Sequence, residues 1–345
     1  MGQIKKINLA LQGGGAHGAF TWGVLDRILQ DPEIEICGIS GTSAGALNGA
    51  ALKAGLIKGG RAGARQNLDW LWGQIMGAHA DGLSHWMTGW SPAAISRTIE
   101  HSFPYMIGDA LSRMTSPYSW GPLYRNPLEP IVRQFDFECV CADEGPQFFV
   151  CATRVSNGKI KVFKKSDITT DAILASACLP TLFQAVEIHD SETGQLEAFW
   201  DGGYTGNPAL FPLFDRSLPD DILIININPL ERPDVPVTPQ QIQNRINEIS
   251  FNSSLLRELR AIGFVQRLLE DGTLEEGRMA RVLVHMIADD ALMNDLSVAT
   301  KVVPNAHLIK KLKDAGHGAA HRFLEDHKAS LNAHSTINLT EMFRD

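Results

Sequence analysis

The sequence predicts an α/β fold: a parallel sheet with helices on both faces. Three observations carry this. The apolar run "INLALQ" (7–12) reads as a strand, and residues 18–31 follow it with helical spacing through Phe20, Val24, Leu25 and Ile28. The run "IEICGIS" (34–40) repeats the pattern, followed by a small-residue helix over 44–56. Far down the chain, "DILIININP" (221–229) is another apolar strand, closed by Pro229.

The remaining elements fit that frame in order. Leu68, Leu71, Trp72, Ile75 and Met76 set a helix over 61–76. From 79 to 127 the pattern breaks: Trp86, Met87, Trp90, Phe103, Tyr105, Met106 and Trp120 are interleaved with prolines and glycines, which reads as an irregular cap with short helices. Residues 147–155 and 158–165 form a hairpin about Ser156-Asn157-Gly158. A helix over 169–180 stops at Pro180. "EAFWDGG" (197–203) is a strand running into a turn. Ile242, Ile246, Ile249, Leu255, Leu259, Ile262 and Leu269 place one or two amphipathic helices over 238–271. A last strand covers 281–289 and a last helix 305–328. No internal repeat is present. The expectation is one domain over 1–330, with the cap inserted at 79–127, a helical C-terminal part over 238–330, and a loose tail over 331–345.

Composition bounds the function. The 345 residues are 44% hydrophobic and 20% charged, ordinary values for a soluble globular protein. A net charge of −8 argues against nucleic acid as a partner. The five cysteines include no C-x-x-C pair and read as reduced thiols of a cytoplasmic protein. The first residues lack the apolar run of a signal peptide, Lys6 stands where N-myristoylation wants Ser or Thr, and no window approaches 18 apolar residues. No H-E-x-x-H or EF-hand loop occurs, so neither metal nor cofactor is expected. The oligomeric state has no sequence signal.

Two motifs carry the chemistry. Gly13, Gly15 and Gly18 in "LALQGGGAHGAF" match G-x-G-x-x-G, the spacing of a dinucleotide-binding loop. Such a loop also suits a short-lived oxyanion. The next strand end separates these readings. A dinucleotide site needs an acid there for the ribose, whereas this chain reads "GISGTSAGAL", and Glu33 and Glu35 lie at the strand's wrong end. What stands there is G-x-S-x-G: Gly41, Ser43 and Gly45, between a strand pattern and a helix pattern. That is the context of a nucleophile elbow, whose flanking glycines let strand and helix approach and whose serine is exposed at a helix N-terminus. With the two motifs one strand apart, the amides of Gly13, Gly14 and Gly15 become candidate oxyanion donors beside Ser43.

The base is less direct. None of the later histidines (His189, His285, His307, His317, His321, His327, His334) sits in a loop with an evident acid partner. His285 falls in an apolar strand, as a core histidine would, and His317, His321 and His327 fall on the last helix as solvated side chains. "FWDGGYTGNP" (199–208) delivers Asp201 from a strand end into a glycine turn. Asp-Gly-Gly is often only a turn.

At these residues the chain resembles the patatin-like phospholipase family of bacterial lipid acyl hydrolases. The matching stretches are "GGGAHG" (13–18), "GTSAG" (41–45), "ASACLPTLFQAV" (175–186) and "DGG" (201–203), in order through residues 7–229; "LKDAGHGAAHRFLEDH" (312–327) resembles the family's C-terminal helix. The resemblance implies a three-layer α/β/α sandwich. It implies a Ser-Asp dyad, Ser43 as nucleophile and Asp201 as its activator, with loop amides around Gly14 and Gly15 as the oxyanion hole. It implies a lipid or acyl-ester substrate, with transient contact at a membrane surface. His17 stands where the family often has Arg or Lys; if that cation binds an anionic head group, His17 supplies it only in part near neutral pH, and it is a substrate-binding candidate on that ground. Trp86 and Trp90 of the cap are candidates on another: with Met87, Phe103, Tyr105 and Trp120 they suit an interfacial surface or acyl-chain pocket, or simply pack the cap on the sheet. A carboxylesterase, thioesterase or polyhydroxyalkanoate-type depolymerase using the same dyad is the alternative. An NAD(P)-binding oxidoreductase is a distant one, and a silent lipid-binding protein would keep the fold alone.

Overall fold

The computed structural model describes residues 3–77, 90–100, 102, 115–275 and 277–344. The strands are β1 (Lys5–Leu11), β2 (Ile34–Gly41), β3 (Gln147–Arg154), β4 (Ile160–Lys164), β5 (Val186–His189), β6 (Leu196–Asp201), β7 (Asp221–Ile225) and β8 (Leu283–Ile287). They form one eight-stranded sheet in the order β5-β6-β3-β2-β1-β7-β8, with β4 paired to β3. The run β3-β2-β1-β7-β8 is parallel, and β4 and β6 pair antiparallel with β3, as β5 does with β6.

Strand periodicity splits the interior in two. Ile7, Leu9 and Leu11 of β1, with Leu223 and Ile225 of β7, point to one face; Ala10, Ile222 and Ile224 point to the other. The first face is covered by α1 (Gly18–Leu29), α2 (Ala44–Gly77) and the late helix Ala306–His327. The second is covered by the helix Pro239–Glu270 through Leu255, Leu259 and Ile262. These are the three layers of an α/β/α sandwich, and they explain the uninterrupted apolar run of a strand such as β7, buried on both sides.

The other helices run in chain order. They are α3 (Pro92–Glu100), α4 (Glu129–Val132), α5 (Phe137–Cys141) and α6 (Thr170–Ser176). Then come α7, the Pro239–Glu270 helix, α8 (Asp290–Asn294), α9 (Val298–Val302), α10, the Ala306–His327 helix, and α11 (Leu339–Met342). α7 opens on a capping box between Thr238 and Gln241.

The structure departs from expectation in three places. The helices expected over 44–56 and 61–76 are one element, α2, broken at Gly59-Gly60, where Gly60 has φ +58°. Strand β5 is missed in the sequence because its four residues at the sheet edge are too few to show a period. The segment after 330 is not a loose tail. Leu331 and Leu339 are buried, the Asn332 N–H donates to Asp221, and Ser335 and Thr336 hydrogen-bond the backbone of β8. β8 is the other edge of the sheet, and this segment satisfies edge groups that would otherwise be bare. Most of the cap expected over 79–127 lies outside the described residues. Its described parts are α3 and the tight turns of Pro117–Leu123, which seat on the loop before β5 through Tyr118 Oη, an acceptor for the Ala185 N–H at 3.0 Å.

Candidate active site

Ser43 stands where β2 ends and α2 begins. Its φ is +54°, a conformation rare for a residue with a Cβ and tolerated only where the surroundings impose it. They do. The Thr42 N–H donates to the carbonyl of Leu11, the Thr42 hydroxyl donates to the Gly206 carbonyl at 2.6 Å, and the Gly45 N–H donates to the Thr42 carbonyl at 2.8 Å. The Ser43 N–H itself donates to Ser176 Oγ at 2.9 Å. A Cβ on Gly45 would lie 2.0 Å from the Leu11 carbonyl oxygen, so only glycine lets α2 start this close to β1. The serine is 8% exposed, and its position at a helix N-terminus favours developing negative charge.

Asp201 reaches the same place by a change of partner along β3. β2 occupies one edge of β3 as far as Gly41, opposite Val150, and then turns away. β4 holds the opposite edge of β3 from Phe149 to Thr153. The first edge is therefore free beyond Val150, and β6 takes it antiparallel, with Asp201 opposite Ala152. Two residues of strand, about 7 Å, separate these pairings. The last residue of β6 thus ends beside the elbow, and a Cβ on Gly202 would lie 3.0 Å from Thr42 Cγ2. The end of α6 holds both partners: Ser176 takes the Ser43 N–H, and the Cys178 carbonyl takes the Asp201 N–H at 2.8 Å.

The Asp201 carboxyl is almost completely buried. Its Oδ1 accepts from the Gly203 N–H at 2.7 Å. Oδ2 has no partner meeting hydrogen-bond geometry, while the Ser43 side chain is near enough to favour the charged form of the carboxyl. Apo catalytic contacts are commonly long or poorly aligned in this way. Burial outweighs both stabilising contacts and pushes the carboxyl up from 3.8 to about 7. Tyr204 and Phe251 pack edge to face at 5.1 Å beside it, and Phe251 abuts Gly203. No histidine among the described residues hydrogen-bonds Ser43 or Asp201. His285 instead pairs with Asp221 at 3.0 Å in the core; His321 and His327 are exposed on α10, and His317, half-buried, meets Gln30 just past the end of α1.

The glycine loop lies against the serine. A Cβ on Gly13 would stand 2.7 Å from Ser43 Cβ, and Gly15 has φ +58°. The three amides differ. Gly13 donates its N–H to Asn207 Oδ1 at 2.7 Å, so it is already satisfied. No group among the described residues accepts from the N–H of Gly14 or Gly15, the orphan donors expected where a helical turn begins.

The outer candidates fare differently. His17 is 1% exposed, with Nε2 2.8 Å from Thr300 Oγ1. The Thr300 hydroxyl donates its one proton to the Ser297 carbonyl, so His17 must be the donor from Nε2, leaving Nδ1 bare. Burial, with the charges of Lys301 and Arg232, lowers its pKa well below 6.5. Buried and bonded to Thr300, it is not presented at the surface to a head group, unlike the cation expected at this place. Trp90 is exposed just before α3, without a ring or hydrogen-bond contact to the site. Trp86 lies outside the described residues, as do Met87, Phe103, Tyr105, Met106 and the Trp120 side chain. Sequence reasoning missed Ser176, Asn207, Asn228 and Gln12. Their only signal is a polar residue at the end of an apolar run, as in "LALQ" and "IININP".

A mostly parallel sheet between helical layers, with a strained serine at a strand-to-helix turn, is the architecture of acyl hydrolases of the α/β type. The chain belongs to the patatin-like phospholipase family, whose model matches residues 9–214. Membership implies lipid acyl hydrolase activity on ester substrates and sets the dinucleotide reading aside. Among solved structures, that of VipD from Legionella pneumophila is similar at a TM-score of 0.42 and 13% identity, over 94% of this chain and 67% of that one. No curated protein matches. Among the described residues, no helix is long and apolar enough to cross a membrane.

Proposed function

We propose that the protein is a serine lipid acyl hydrolase of phospholipase A or lysophospholipase type, working through Ser43 and Asp201. The observation that carries this reading is a buried Asp201 carboxyl, its Oδ2 bare, beside a serine held at positive φ. Ser43 Oγ attacks the ester carbonyl while Asp201 takes its proton. The oxyanion is received by the Gly14 and Gly15 amides, and Asp201 passes the serine proton to the departing alcohol or lysolipid; Asp201 then takes a proton from the water that opens the acyl-enzyme and returns it to Ser43 Oγ as the fatty acid leaves. Gly13, whose amide is spoken for, contributes by lacking a Cβ, and Gly41 and Gly45 by allowing the turn. The substrate is met at a lipid surface by a protein that contacts it peripherally.

The test is an acyl-ester panel, from short p-nitrophenyl esters to thioesters, polyesters and phospholipids, on wild type, Ser43→Ala and Asp201→Ala. Each variant should lose at least about 10³-fold in turnover while staying folded, and Ser43→Ala should lose fluorophosphonate labelling. Turnover retained by purified Asp201→Ala would eliminate the dyad. A preference for thioester or polyester over phospholipid would reassign the substrate but keep the dyad.

A further inference from the structure

The Gly13-Gly14 peptide is gripped from behind. Its carbonyl, that of Gly13, accepts from Asn228 Nδ2 at 2.8 Å. That carbonyl shares one planar trans peptide with the Gly14 N–H, so fixing the oxygen toward Asn228 turns the N–H the opposite way. Asn228 and Ile227 lie beyond the end of β7 on one side of the loop: a Cβ on Gly14 would meet Ile227 Cδ1 at 2.8 Å, whereas one on Gly13 would meet Ser43 Cβ. The Gly14 N–H is therefore turned away from the β7 end, to the serine side.

Asn228 is fully buried and has every polar group engaged. Its backbone N–H and its Nδ2 both donate to Gln12 Oε1, at 3.0 and 3.1 Å. Its Oδ1 accepts from Lys301 Nζ at 2.7 Å. An ammonium can only donate, so this contact decides which way the carboxamide faces: oxygen to lysine, NH₂ to Gly13. A flipped carboxamide would set oxygen against oxygen at Gly13 and NH₂ against the ammonium. Lys301 also walls the loop with its backbone, because a Cβ on Gly15 would stand 2.2 Å from the Lys301 carbonyl oxygen. Burial lowers the lysine's pKa to about 8, and Glu248 behind it, itself held by Arg232 through two contacts of 2.7 Å, works the other way and favours its charge.

We propose that Asn228 and Lys301 are positioning residues for the oxyanion hole: the lysine locks the carboxamide, and the carboxamide aims the Gly14 N–H at the oxygen that becomes charged. The inference rests on Ser43 and Asp201 being the catalytic pair. A donor aimed at an oxyanion acts in the transition state only, so its loss lowers kcat and kcat/KM together and leaves KM alone. A residue needed merely for folding has no such signature.

The test uses the full chain with p-nitrophenyl butyrate as substrate and a trifluoromethyl ketone as reversible mimic of the tetrahedral adduct. Asn228→Ala should lower kcat by about 10²-fold with KM within about twofold. Lys301→Met, which keeps the stem, should lower kcat by about tenfold, and Lys301→Arg should recover much of it. Affinity for the ketone should fall in proportion to kcat in each variant. Wild-type kcat in either loss variant, a loss confined to KM, or unchanged ketone affinity overturns the proposal. Should Asn228→Ala fail to fold, Lys301→Met decides alone. Ser43→Ala is the control: a dead Ser43→Ala beside a fully active Asn228→Ala defeats this inference only, whereas an active Ser43→Ala defeats the dyad.

Discussion

Asp201 illustrates how one residue's surroundings set both its chemistry and its cost to the fold. A carboxylate near 3.8 would be a weak base for a serine hydroxyl; burial that raises it to about 7 brings its proton affinity nearer the task. Only the deprotonated form accepts the serine proton. The expected profile of kcat/KM therefore falls about tenfold per unit below pH 7 and levels off just above it, read from rates between about pH 5 and 7.5, short of the range near 8 where the buried Lys301 ammonium loses its proton. Stability runs the other way. The folded state keeps a proton that the unfolded chain releases near 3.8, so this group's contribution is fully present below that pH and is lost as pH rises through about 7. Asp201→Asn should raise the melting temperature by several degrees at pH 8 and leave it unchanged at pH 3.5. Glu258, also raised to about 7 by burial, titrates in the same window but is common to both proteins, so their difference isolates Asp201. An equal gain at both pH values would mean that Asp201 is not a buried charge. His17 makes the converse point. The family's Arg or Lys at its place suggested a cation, whereas burial, with Lys301 and Arg232 nearby, disfavours the charged form of His17.

At the scale of elements, the site depends on β2 leaving β3 early enough for β6 to follow on the same edge. The start of α2 depends on the gap over β1 that Gly45 keeps open. Gly45→Ala should cost more than about 3 kcal/mol, because the clashing atom is backbone and cannot swing aside. Denaturant unfolding measures it; a midpoint close to wild type would show that α2 can shift without loss. This scale also shows what the sequence could disclose. The elbow and the Asp-Gly-Gly turn were legible because their backbone geometry demands particular residue types, glycine above all, within a few positions. The alternation of strand and helix was legible for the same local reason. The exchange of partners along β3, and the hold of Ser176, Asn207 and Asn228 on the loop, join residues far apart in the chain. A serine or asparagine in such a place obeys no local rule that separates it from a turn residue, and a short edge strand such as β5 carries too few apolar positions to show a period.

At the scale of the molecule, a lipid hydrolase must bring its site to a surface. α7 has the form for it. Ile242, Ile246 and Ile249 lie on one face of the helix, 44%, 50% and 54% exposed, and Val235 and Val237 just before it are 82% and 79% exposed. Two residues past Ile249, the same helix supplies Phe251, which packs on Tyr204 and Gly203 beside Asp201. Phe251 lies on the opposite face of the helix from the stripe, so one rigid element carries an exposed apolar stripe outward and a wall of the site inward, an arrangement that would hold the site close to a bilayer. Partial immersion of three isoleucines is worth on the order of 1 kcal/mol each. Replacing all three by Asp should weaken co-sedimentation with phosphatidylcholine vesicles at least about tenfold and lower turnover of vesicle phospholipid in step. Turnover of a soluble short-chain ester should stay within about twofold of wild type, since the stripe touches neither Ser43 nor Asp201. Undiminished vesicle binding by a folded triple variant would exclude α7 as the docking face. An equal loss on the soluble ester would place the stripe's role inside the site rather than at the membrane.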